Sequence, residues 1–194
     1  MSDVIFLLDT NILSNAAKKK PIPELTAWLV AQKTFAVPFP ALIELEDGVV
    51  KVSKSHPEKA LEYRLWIDRF LEHRFLYPQM SPAVARHYAE LHGCGPLKNL
   101  WFVDPRKVKT AKPKHDLFIA AIALAYRLPI ATLNSKDFAL VHRHCPLPGV
   151  FDPVASEWTV PLTRSATRKT SRIDTLAIAT WSIGGSRASQ LTVA

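Results

Sequence analysis

Four carboxylates stand at positions where a folded chain could gather them. Asp9 closes the apolar run Val4-Ile5-Phe6-Leu7-Leu8, and Glu44 sits one position from the apolar stripe Leu42, Ile43, Leu45, Val49, Val50. Asp116 opens an alanine-rich stretch, and Asp137 follows the short run Ile130-Ala131-Thr132. Each has an ordinary structural use when taken alone. Asp9 or Asn11 can cap a helix. Glu44 can be a solvated helix residue like its neighbours Glu46 and Asp47. Asp116 suits the positive end of a helix dipole, and Asp137 suits a turn. Brought together, the four would repel one another and hold protons. A hard divalent cation resolves that repulsion, because Mg²⁺ and Mn²⁺ prefer oxygen ligands and keep several waters. Such an ion polarises a phosphoryl oxygen and supplies a hydroxide nucleophile near neutral pH, so the chemistry implied is phosphodiester hydrolysis.

The elements that must position these acids can be read from periodicity. Residues 4–8, rich in β-branched and aromatic types, predict a buried strand, with Asp9 at its C-terminal end. In open α/β sheets that edge is where ligands bind. A short helix is expected over Leu13 to Lys20, and a second opens at Pro23-Glu24-Leu25. Phe35-Ala36-Val37 predicts a second strand, and a third helix starts at Pro40 and carries Glu44. Ser55-His56-Pro57-Glu58 and Ser81-Pro82 are further helix starts, with a third short strand at Phe75-Leu76-Tyr77 between them. Gly93 to Lys112 reads as irregular and Lys114 to Tyr126 as helical. Ile130-Ala131-Thr132 is a fourth strand, followed by a turn through Leu133 to Phe138, and Val150-Phe151 is a last strand. Strands and helices alternate, which predicts an α/β fold with a mostly parallel sheet covered by helices. If parallel strands end on one side, Asp9 and Asp137 converge there, and a helix starting near that edge brings Asp116 beside them.

The chain has 194 residues, 48% of them hydrophobic, enough for one domain of residues 1–154 plus an extension. Residues 155–194 hold 13 Ser or Thr and five basic residues against two acids, and are expected to form a mobile C-terminal extension with a short helix near Ile173 to Ala179. No apolar run reaches the roughly 18 residues of a membrane span. No basic segment precedes the first apolar run, and Asp9 follows too soon for a signal peptide. Cys94 and Cys145 are far apart and lack CxxC or Cys/His spacing, so neither a disulfide framework nor a zinc site is expected and a cytoplasmic location is the default. A net charge of +8 favours a polyanionic partner.

In order along the chain, LLDTNILS at 7–14, IELEDGV at 43–49, HDLFIAAIAL at 115–124 and TLNSKDF at 132–138 resemble the PIN-domain family. Within it, they are most similar to the VapC-type toxin ribonucleases of bacterial toxin–antitoxin modules. The resemblance covers roughly residues 4–153. It implies a three-layer α/β/α fold, commonly homodimeric, and an Mg²⁺-dependent endoribonuclease in which Mn²⁺ can substitute. The products would carry 5′-phosphate and 3′-hydroxyl ends. A cognate antitoxin is expected to block the acidic pocket. The resemblance assigns the catalytic acids to Asp9, Glu44, Asp116 and Asp137, with Asp9 and Asp116 as the direct metal ligands. Thr10, Asn11, Thr132 and Asn134 match supporting polar positions. Two departures are evident. The segment Val37-Pro38-Phe39-Pro40-Ala41 lacks the hydroxyl residue usual before the second acid, and Leu133 replaces the usual Arg.

A basic segment precedes the third acid. Lys98, Arg106, Lys107, Lys109, Lys112 and Lys114 fall within 17 residues against one acid, Asp104, a net +5, with Trp101 and Phe102 interleaved. These cations are candidates to hold RNA phosphates, and an aromatic there could stack on an unpaired base. A PIN-fold binding module without turnover is the alternative, kept open by Leu133 and by Pro38 and Pro40. A phosphatase with Asp9 as covalent nucleophile is set aside, since its chemistry needs a second Asp two positions on and Asn11 stands there.

Overall fold

The computed structural model describes residues 4–73, 75–101 and 115–163. Among them, the strands are β1 (Phe6–Leu8), β2 (Phe35–Ala36), β3 (Ile130–Ala131), β4 (Val150–Asp152) and β5 (Glu157–Val160). The helices are α1 (Thr10–Ala16), α2 (Pro23–Ala31), α3 (Phe39–Ser53), α4 (Pro57–Leu71), α5 (Pro82–Gly93), α6 (Asp116–Tyr126) and α7 (Ser135–His144), with a 3₁₀ turn at Gly95–Leu100. The sheet order is β2-β1-β3-β4-β5, and every pairing is parallel except β4 with β5. Proline in the first turn starts α2, α3, α4 and α5, where its missing N–H costs no helical hydrogen bond.

Side chains alternate across the strands, as the two-residue period of a strand demands. Leu7, Ala36, Ile130 and Val150 point to one face and pack with α5, α6 and α7. Phe6, Leu8, Phe35, Ala131 and Phe151 point to the other and pack with α1 to α4. The sheet is therefore apolar on both faces and covered on both, the three-layer α/β/α arrangement expected of a parallel sheet.

Several local expectations need correction. The first helix starts at Thr10 rather than Leu13, because Asp9 caps it directly. The strand expected at 75–77 reduces to one bridging residue, Leu76, whose N–H and C=O bond to Phe35 and Val37 at the edge of the sheet. The turn expected through Leu133 to Phe138 is instead the start of α7. Its first-turn Asp137, its buried Phe138 and Val141 three apart, and its terminal His142, Arg143 and His144 form a helix signature that could have been read.

The folded unit also runs past residue 154. After Asp152, whose Oδ1 accepts N–H bonds from Val154 (2.9 Å) and Ala155 (3.1 Å), Ser156 takes a left-handed conformation (φ 55°) and the chain returns as β5. Trp158 on β5 packs against Phe6 and Phe151, with ring centroids 5.7 and 5.1 Å apart. Its ring lies so close to Gly149 that a Cβ there would sit 2.8 Å away, which is why that position has none. Residues 155–163 therefore belong with the sheet. The rest of the Ser/Thr-rich extension, including the helix expected at 173–179, lies outside the described residues.

Ending the chain after Val154 removes Trp158 and the last ladder, whereas ending it after Thr163 keeps both. We expect the shorter truncation to lose roughly 3 kcal/mol more unfolding free energy, the order for deleting a large packed aromatic. Urea titration of the two truncated proteins checks this, and equal stabilities would mean that β5 contributes nothing.

Candidate active site

β1 is only three residues long, and its ladder with β3 continues one step beyond it through the Asp9 N–H and the Ala131 C=O, 3.0 Å apart. Asp9 is thereby fixed at the C-terminal edge of the sheet, and only 3% of it is exposed. Its carboxylate is held from three directions. The Thr10 N–H donates to Oδ1 at 2.7 Å, while the Thr132 hydroxyl and the Asn11 amide both donate to Oδ2 at 2.6 Å. Thr132 continues past the end of β3. It is wholly buried, and its oxygen also accepts from Asn11 Nδ2 (3.1 Å) and the Asn134 N–H (2.8 Å). Asn11 is not a helix cap. It bridges β1 to the loop after β3, where its Oδ1 accepts the Leu133 N–H at 3.0 Å.

Glu44 on α3 and Asp116 in the first turn of α6 come to the same edge. Burial pushes Asp9 up to about 7, and the charges of Asp116 and Glu44 add to that rise, against the opposing hydrogen bonds from Thr132 and Thr10. Glu44 is half-buried and is also pushed up to about 7, first by desolvation and then by Asp116, with the His115 backbone acting in the opposite direction. Thr10 Oγ1 is buried without a hydrogen-bond partner, yet it stands close enough for its dipole to favour ionised Glu44. His115, which precedes α6 beside Asp116 without a side-chain cap bond, is held below the usual imidazole range by burial. Three carboxylates thus sense one another's charge. Asp137 joins them by a different route: its Oδ2 accepts from Asn134 Nδ2 at 2.7 Å, and the Asn134 N–H bonds Thr132, which bonds Asp9.

This geometry can be set beside known proteins. The PIN domain family matches residues 6–143. The chain belongs to that family. No curated protein matches. Among solved structures, FitAcB from Neisseria gonorrhoeae aligns at a TM-score of 0.51 with 22% identity, over 77% of this chain and 98% of that one. FitAB bound to an IR36 DNA fragment aligns at 0.54 with 22% identity, over 77% and 96% of the two chains. VapBC2 from Rickettsia felis, bound to a DNA fragment from its promoter, is 28% identical over 70% of this chain and 91% of that one, at a TM-score of 0.49. The two FitAB structures share the fold.

The structure brings Asp9, Glu44 and Asp116 close enough to couple through charge. The donor chemistry fits a hard divalent ion. Among the described residues no three carboxylate, imidazole or thiol groups share one ligating point. Two direct carboxylates with water in the remaining positions is what Mg²⁺ ordinarily takes. The orphaned Thr10 hydroxyl at the same edge offers a further oxygen to such a water. Both departures have visible consequences. α3 starts at Pro38-Phe39 without any side-chain cap bond, and Leu133 packs into the apolar layer beneath α1 to α4. Of the basic segment, Lys98 is exposed on the 3₁₀ turn, and Arg106, Lys107, Lys109, Lys112 and Lys114 lie outside the described residues.

Because Asp9 and Glu44 both bind protons more tightly folded than unfolded, stability falls as pH rises from the ordinary carboxylate range toward about 7. Burial is the main cause of both rises, and Asp116→Asn removes a charge that adds to it. We expect it to raise the Tm of the metal-free protein above pH 7 by several degrees and to flatten the fall with pH. It should also reduce the further rise that Mn²⁺ gives. Thermal melts across pH, with and without Mn²⁺, check this, and identical curves for both proteins would mean the acids are not coupled.

Proposed function

We propose that this PIN domain is an Mg²⁺-dependent endoribonuclease and the toxin of a toxin–antitoxin pair. The observation that carries the enzymatic reading is the charge-coupled set Asp9, Glu44 and Asp116 at one sheet edge, with Asp9 locked by Thr132, Asn11 and the Thr10 N–H. Asp9 and Asp116 would hold the ion, with Mn²⁺ able to replace Mg²⁺, and Glu44 and Asp137 would complete the pocket. When bound, the ion offsets the carboxylate charge and supplies Lewis-acid chemistry to a phosphoryl oxygen. The chain's own groups do the rest. Thr132 and Asn11 keep Asp9 in one orientation, so no reorganisation is needed when charge develops. Glu44 is half-exposed and close to neutral pH in its proton affinity, which suits it to take a proton from the attacking water. The water oxygen bonds phosphorus in line, the bond from phosphorus to the 3′ oxygen breaks, and that oxygen leaves as a hydroxyl after taking a proton from solvent. A 5′-phosphate remains on the other fragment.

The toxin role, a cognate antitoxin over the acidic pocket, homodimer assembly and action in the cytoplasm belong to the same proposal and rest on the VapC-like motifs. No helix among the described residues is long and apolar enough to cross a membrane, which is compatible with that location. The basic segment from Lys98 through Arg106, Lys107, Lys109 and Lys112 to Lys114 is proposed to bind RNA, since phosphates must be held beside a site that is itself acidic.

The test is incubation of partner-free protein with several structured RNAs and Mg²⁺ or Mn²⁺, beside an EDTA control and Asp9→Asn. Cleavage should need the metal and fall by roughly 100-fold or more in the variant, the order for losing one preorganised charge-stabilising group. Equal cleavage by Asp9→Asn would assign the activity to a contaminant. Absence of cleavage across the RNAs, with Mn²⁺ still raising the Tm, would favour a binding module, the reading that Leu133 and the uncapped α3 also permit.

A further inference from the structure

Glu44 also lines a hollow. A cavity of about 220 Å³ lies between α1, α3 and α4, floored by Leu45, Val49 and Ile67 and reaching Glu44. A wider cleft of about 650 Å³ adjoins it, and the two share Ala17, Lys18, Tyr63 and Trp66 as walls. The outer cleft carries four cations, Lys18, Lys19, Lys59 and Arg69, against one acid, Glu62. Glu62 is engaged by Lys19 at 3.3 Å, in a pair exposed enough to contribute little. Lys59 stands over the Tyr63 ring, 5.7 Å from its centroid, and Lys18 and Arg69 make no ion pair among the described residues. Trp66, which walls both cavities, stacks on Phe70 (5.2 Å, 13° between planes), and Phe70 stacks on Phe75 (4.4 Å, 25°), so the indole is braced from behind.

The arrangement has the two parts that unpaired nucleic acid requires: cations spaced along an open groove, and a rigid aromatic ring. It also answers an electrostatic difficulty. Carboxylates that already repel one another enough to hold protons would turn a phosphate backbone away, and cations along the approach offset that. We propose that the α1–α4 cleft is a docking track for an unpaired stretch of RNA. Phosphates lie on Lys18, Lys59 and Arg69, and a base stacks on Trp66, in the cleft that adjoins the Glu44 cavity. This track is separate from the basic segment at 98–114, and it rests on the ribonuclease reading. A base still paired in a duplex has no face free for Trp66, so the track selects loops and single strands.

The test measures binding of a short fluorescent single-stranded 2′-O-methyl oligonucleotide, which resists cleavage, by anisotropy over a range of salt. Wild-type full-length chain, the triple variant Lys18→Ala/Lys59→Ala/Arg69→Ala, and Trp66→Leu are compared. All three substituted cations are exposed, so an unchanged Tm is expected for the triple variant. Its affinity should fall at least tenfold, and the slope of log K against log salt should drop by about 2, from about 0.7 per lost phosphate contact. Trp66→Leu should weaken binding about fivefold or more with no change of slope, and a hairpin duplex should bind worse than the single strand. Wild-type binding that the triple variant retains, with the same slope, overturns the track and leaves the ribonuclease reading standing. Failure of the wild type to bind the single strand overturns both. Retained RNA binding with lost binding of a Glu-rich helical peptide would assign the cleft to a protein partner, and the proposal would be wrong.

Discussion

Burying the Asp9 carboxylate is the constraint on which the rest of the site depends. An isolated carboxylate with 3% exposure is costly, and here the cost is visible as a proton affinity pushed up to about 7. Three donors offset part of it, and one of them, Thr132, lies 123 residues away in sequence. That hydrogen bond joins the ladder bond from Asp9 to Ala131 in holding the ends of β1 and β3 together. Through Thr132 and Asn134 the same closure reaches Asp137, and through Asn11 it fixes the backbone at Leu133. This edge is a polar network whose members are mutually oriented, and such networks can be worth more than the sum of pairwise deletions suggests.

The layers around that edge explain how so small a sheet can hold it. Its strands span two to four residues, and their rigidity comes from helices packed on both faces. Parallel order places the ends of β1 and β3 on one side, where α1, α6 and α7 all begin. Helix N-termini pointing at that side favour negative charge there, which eases the crowding of acids. The crowding that remains is what a divalent cation would relieve. A fold that stores repulsion between carboxylates would gain stability from such an ion, and in the proposed mechanism that same ion would supply the Lewis acidity.

Much of this was legible in the chain itself. The apolar run ending at Asp9, the proline-started helices, the alanine-rich α6 and the alternation of strand with helix follow from local chemistry, and the four acidic motifs in order point to the PIN domain family. α7 was legible too, from Phe138 and Val141 and the charge pattern of its ends. β5 was masked by a composition rich in Ser and Thr, and only pairing with β4 and the packing of Trp158 on Phe6 and Phe151 makes it a strand.

By itself, then, the sequence determined which residues could be catalytic and which segments could be helix or strand, because capping, periodicity and side-chain chemistry act over a few neighbouring residues. Tertiary structure alone decided that Asp9, Glu44 and Asp116 share one electrostatic environment while Asp137 is joined to it through Asn134 and Thr132. It also decided that Lys18, Lys59, Arg69 and Trp66 line one cleft, which shares walls with the cavity at Glu44. Those relations come from contacts between residues far apart in the chain, and no local preference encodes the distance or the burial that sets a charge's surroundings.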